Sequence, residues 1–139
     1  MILDCSYEET RALTRGAEVF LRGASSPGTV LAPPLEVAAI EDLARRLERE
    51  LSFQTYHELQ SFEAILEAVT SALGSDMDSI ILATHPAGEE AVNAYFDYAH
   101  ALTVLGRARE LKDEMAALIE LMTGEPVNEV SARTVSFPD

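Results

Sequence analysis

The sequence predicts a mainly α fold, a bundle of about four helices of which the last is long. Three observations carry that expectation. Apolar residues recur in steps of three and four over most of the chain, two Ser/Thr-x-x-Glu patterns mark helix starts, and glycine or proline separates the periodic runs. With 139 residues the chain reads as one helical domain spanning 1–139, long enough to bury roughly 68–70% of the surface its unfolded form exposes. An apolar content of 47% excludes disorder along its whole length.

Met1 to Cys5 is short, apolar and reads as extended. Ser6-Tyr7-Glu8-Glu9 then forms a capping box, in which the Ser6 hydroxyl takes the Glu9 N–H and the Glu9 carboxylate returns to the Ser6 N–H. The helix it starts places Leu13, Ala17, Phe20 and Leu21 on one face and stops at Gly23 and the loop Ser25-Ser26-Pro27-Gly28. Pro33 and Pro34 open a second helix with a stripe of Leu35, Ala39, Ile40, Leu43, Leu47 and Leu51. Its solvent face is expected to pair Glu41 with Arg45 and Asp42 with Arg46 at i,i+4.

A second capping box, Thr55-Tyr56-His57-Glu58, predicts a break near Ser52-Phe53 and a third helix from Tyr56 to Leu73. Leu59, Phe62, Leu66, Val69 and Leu73 form its buried stripe, and Gly74 is suited to end it. Within Asp76 to His85 the run Ile80-Ile81-Leu82-Ala83 is too short to separate a buried strand from a short helix, and the segment reads as an apolar connector packed on the core. Pro86 opens the long helix, which runs to about Thr123 before Gly124 and Pro126. Its stripe of Ala91, Tyr95, Tyr98, Leu102 and Leu105 jumps phase at Gly106 before resuming at Ala108, Leu111, Met115, Leu118 and Met122, which predicts a kink or a change of partner there. A second stripe of Val92, Phe96 and Ala99 widens the apolar arc, as in a helix that is central to a bundle or one that is half core and half oligomer contact. Residues 126–139 read as an extended tail, with a short strand over 133–137 pairing with Met1 to Cys5.

Charge is the most unusual property of the chain. Between Arg49 and Arg107 there is no Lys or Arg, while nine acids fall in the same stretch: Glu50, Glu58, Glu63, Glu67, Asp76, Asp78, Glu89, Glu90 and Asp97. A net charge of −14 opposes binding to nucleic acid or an anionic membrane and favours cationic partners. Glu89 and Glu90 suit the first turn of a helix, and Asp76 and Asp78 suit a loop. Glu58, Glu63 and Glu67 remain as a candidate interaction face, with Glu63 and Glu67 one turn apart and no cation on their own helix.

No nucleotide-binding, metalloprotease or hydrolase motif occurs. Asp97 and His100 share a helix face at i,i+3, which is half of a di-metal element without its complementary ligands, so no metal and no cofactor is expected. His57 and His85 read as capping or loop residues. Cys5 lacks the cationic surroundings of an activated thiol in its local sequence, and as a single cysteine it requires no oxidising compartment. Met1 to Asp4 has no basic n-region, and no apolar run reaches a membrane span, so the expected location is cytoplasmic. The sequence thus predicts a small acidic, non-catalytic interaction or regulatory module of the adaptor, immunity or antitoxin type, self-associating through its long helix or binding a basic protein. The competing expectation is an enzyme or sensor with a small-molecule or metal pocket around Tyr95, Asp97, Tyr98 and His100.

Overall fold

The computed structural model describes residues 1–24, 34–47, 50–83 and 88–138. Among them the chain forms a mainly α bundle with a minor β pairing, in the order β1 (Ile2–Leu3), α1 (Tyr7–Ala24), α2 (Pro34–Leu47), β2 (Leu51–Ser52), α3 (Tyr56–Ala83), α4 (Glu89–Thr123) and α5 (Glu129–Thr134). One hydrophobic cluster extends from Leu3 to Phe137. The loop expected at Ser25 to Gly28, Pro33, His85 and Pro86 lie outside the described residues.

The first capping box forms as expected, with the Ser6 N–H donating to Glu9 Oε1 at 2.8 Å and the Glu9 N–H donating to Ser6 Oγ at 3.2 Å. It starts α1, which turns Ala12, Leu13, Gly16 and Ala17 into the core. A Cβ on Gly16 would lie 2.4 Å from Val69 Cγ1, so α1 and α3 approach more closely than any larger residue permits. On α2 the buried residues are Ile40, Leu43 and Leu47. Its charge ladder differs from the expected one. Arg45 reaches Asp42 at 3.1 Å, one turn earlier at i,i+3, while the Arg46 guanidinium lies 4.9 Å from the Phe62 ring centre and 5.5 Å from that of Phe53. Two aromatic rings, tilted at 50° with centres 5.0 Å apart, give it a better partner than an exposed carboxylate does.

Leu51 does not extend α2. It pairs in β2 with β1, antiparallel, with Ile2 opposite Ser52 and Leu3 opposite Leu51. The β1 partner is therefore this segment and not 133–137. The C-terminal segment adds itself one step further on, where the Phe137 N–H donates to Gln54 O at 2.7 Å. Nor is the tail extended throughout: Asn128 Oδ1 takes the N–H groups of Val130 and Ser131, and Ser131 Oγ takes the Asn128 N–H, a capping box that makes α5. Here a local hydrogen-bonding cap outweighs the β preference of Val130 and Thr134, while Val135, just past the helix, is extended.

α3 begins as predicted, with the Glu58 N–H donating to Thr55 Oγ1, although the Glu58 carboxylate takes the N–H of Gln54 instead of that of Thr55. All five residues of its predicted stripe are fully buried. It does not end at Gly74 but continues to Ala83, absorbing the expected connector. Gly74 serves packing instead, since a Cβ there would lie 3.0 Å from Tyr98 Cε2 on α4.

α4 is one helix of 35 residues, about 52 Å long, closed by Gly124 in the left-handed region at φ 76° with its N–H on Glu120 O. The phase jump at Gly106 disappears once alanine is counted. Ala91, Ala94, Tyr98, Ala101, Leu105, Ala108, Lys112, Met115 and Ile119 alternate steps of three and four without interruption, and all are buried or half-buried. Tyr95 and Leu102, the expected seam residues, are instead exposed.

Candidate functional site

Four of the nine acids of the basic-free stretch find cations across the bundle. On α3, Glu63 Oε2 meets Lys112 Nζ at 2.5 Å, and Glu67 lies 4.0 Å from Arg109; both cations belong to the second half of α4. From α1, Arg15 bridges Asp76 at 2.6 Å and Asp97 at 3.2 Å, tying three helices at one point. As positions rise along α3 from Glu63 through Glu67 to Gly74, their partners on α4 fall from Lys112 through Arg109 to Tyr98. The two helices are antiparallel.

These contacts place the three members of the candidate interaction face. Glu58 is occupied in starting α3, Glu63 is nearly covered in the seam with α4, and Glu67 is exposed beside Arg109. The premise that Glu63 and Glu67 lack counter-charges holds only within their own helix. The Glu63 carboxylate beside it raises the pKa of Lys112, outweighing the opposite pull of its burial.

The other candidate set is dispersed around α4. Asp97 is taken by Arg15, Tyr98 lies over Gly74, His100 is half-buried, and Tyr95 projects into solvent, its ring edge-to-face with Phe96 at 5.8 Å. At about 100° per residue these side chains diverge, so the four do not line one pocket. Among the described residues no three His, Cys, Asp or Glu side chains come together as a metal-binding group. His57 borders an open cleft of about 420 Å³ between the start of α3 and α5, with Tyr56, Gln60 and Arg133.

Around Cys5 the chemistry is that of a structural joint. Arg107 of α4 donates to the Asp4 carbonyl and to Glu9 Oε2, so the buried Glu9 carboxylate is held by the capping box on one oxygen and by a guanidinium on the other. The Cys5 thiol is half-buried, and burial pushes its pKa up against the opposing effect of Arg107, keeping it protonated at neutral pH.

One exposed strip of α4 is apolar. Val92, Tyr95, Phe96 and Leu102 are each about half accessible and, with Ala99, form a stripe on the side facing away from the Ala91–Ile119 seam. Ile81 and Leu82 are exposed at the end of α3, at the same end of the antiparallel pair. The sequence pattern contains this stripe as its second apolar series; the partition between core and surface was hidden because the core series consists largely of alanines. The triple tie of Arg15 leaves no mark in local spacing, since its partners are 61 and 82 positions away.

No protein-family model, curated protein or solved structure matches this chain. Among the described residues no helix is long and apolar enough to cross a membrane.

Proposed function

We propose that this chain is a non-catalytic protein-interaction module, of the adaptor, immunity or antitoxin kind, and that it works through the exposed apolar stripe of α4. The observation supporting this is the stripe itself: Val92, Tyr95, Phe96 and Leu102 are left in solvent by a helix whose opposite side is fully engaged in the core. Scattered apolar residues need no explanation, but a continuous series of large ones on one helix face is the signature of a contact surface. A second copy or a basic protein is the natural occupant, and the net charge of −14 makes nucleic acid a poor one. The reading includes a reducing, cytoplasmic setting, in which the single thiol of Cys5 stays unpaired.

The test is affinity capture from the native host with wild-type protein and with the double variant Tyr95→Ser/Phe96→Ser, both first shown to be equally folded by circular dichroism. Specific partners, or a second copy seen by sedimentation, are expected with wild type and are lost with the variant. Recovery of the same set by the variant overturns the reading.

A further inference from the structure

Resting on the reading of α4 as a docking surface, we infer that its occupant is an amphipathic helix with a Lys- or Arg-rich border. The stripe runs from Val92 to Leu102, about 15 Å or three turns, with side chains at i, i+3, i+4, i+7 and i+10. That spacing matches the ridges of another helix, which reads such a face through anchors at the same intervals.

Charge selects the partner chemistry. The segment of α4 carrying the stripe, 89–106, contains no Lys or Arg, and neither does any part of α3. Glu89 stands exposed beside the head of the stripe, whereas Glu90, seven residues before Asp97, shares that residue's face; Asp78 is exposed on α3. Arg15 of α1 is already held by Asp76 and Asp97, and Asp97 lies on the side of α4 roughly opposite the stripe. The flanks that α3 and residues 89–106 of α4 give to the apolar face therefore carry acids and no Lys or Arg. A second copy would bring the same acidic border and a further −14 of net charge against it, whereas a basic amphipathic helix satisfies the apolar face and its border together. Long-range attraction then accelerates encounter, and the aromatic pair Tyr95 and Phe96 supplies the anchor.

The probe is a fluorescent synthetic peptide of about five helical turns, with Leu at i, i+3, i+4 and i+7 and Lys elsewhere, titrated into the full chain and followed by anisotropy. A matched peptide carries Glu in place of Lys. The Lys peptide is expected to bind, to weaken at least about tenfold against Tyr95→Ser/Phe96→Ser, and to be unaffected by Leu121→Ser at the far end of the same helix. The Glu peptide is expected to bind at least about tenfold more weakly at low salt, with the gap narrowing as salt rises. Equal binding of the Lys peptide to wild type and double variant overturns the proposal, because attraction to diffuse negative charge then suffices. Equal binding of the two peptides also overturns it, since the border then selects nothing. A wild-type dimer that the double variant abolishes assigns the face to a second copy; this defeats the basic-helix proposal while leaving the interaction-module reading intact. Capture partners lost by the variant in host extract, together with no peptide binding, separate the two in the same way.

Discussion

The residue that best shows how charge is used in this molecule is Glu63. Its helix offers it no cation, yet it sits in the seam of α3 and α4 with Lys112 at 2.5 Å, both side chains mostly covered. Replacing Glu63 by Lys does not relieve repulsion, as the isolated helix would suggest; it sets two cations against each other and leaves Lys112 without a counter-charge. Glu63→Lys is expected to cost about 2–4 kcal/mol in urea unfolding at neutral pH. The same pair sets an alkaline limit. Because the folded pKa of Lys112 is raised, its contribution is complete below the unfolded lysine value of about 10.4 and is lost as pH climbs through the folded one. Stability measured from about pH 9 to 12 should therefore fall more steeply in wild type than in the double variant Glu63→Gln/Lys112→Met.

At the scale of elements, two glycines with the same local prospects have opposite consequences. Both Gly16 and Gly74 lie inside helices, where alanine is favoured by about 1 kcal/mol. A Cβ at Gly16 meets Val69 and Leu73 in the core, fully buried side chains with nowhere to go, so Gly16→Ala is expected to lower stability by about 1–3 kcal/mol despite the propensity gain. At Gly74 the neighbour is the half-buried ring of Tyr98, which can tilt outward, and Gly74→Ala is expected to be within about 1 kcal/mol of wild type. Thermal unfolding of the two variants side by side checks both. These positions also mark what the sequence makes legible. The capping box at Ser6, the Thr55 cap of α3 and the stripe Leu59 to Leu73 depend on residues a few positions apart, and they appear in the structure where spacing puts them. The passage of α3 through Gly74, the partner of β1, and the α4 seam depend on contacts between distant segments. An alanine in a seam and an alanine on a surface are the same letter, so Ala94 and Ala101 lost the assignment to the larger Tyr95 and Leu102. The exposed stripe was visible as a pattern, but which of two apolar series faces solvent is decided by what α1 and α3 present to α4.

For the whole molecule, Glu63, Glu67, Asp76 and Asp97 have cations across the bundle, yet the net charge of −14 remains to be carried at the surface. The surplus repels itself in the compact state over distances that salt screens, whereas the covered pairs are screened much less. Raising ionic strength from about 0.02 to 0.5 M is expected to stabilise the fold by about 1 kcal/mol, or about 4 °C in Tm. A Tm that falls with added salt would mean that exposed pairs such as Glu67 with Arg109 outweigh the general repulsion.

The tie made by Arg15 has a consequence for the order of assembly. α3 and α4 are neighbours in sequence and antiparallel in space, so they can close as a hairpin at small entropic cost, whereas α1 is separated from both by the whole of α2 and β2. If the hairpin forms the transition state for folding and α1 docks after it, Arg15 acts as a latch that is fastened last. Stopped-flow chevrons of Arg15→Gln should then show unfolding about tenfold faster with refolding changed by less than about twofold, whereas Leu66→Ala, inside the hairpin, should slow refolding. A slowed refolding limb in Arg15→Gln would place α1 in the nucleus and make the three-helix junction the point from which the bundle grows.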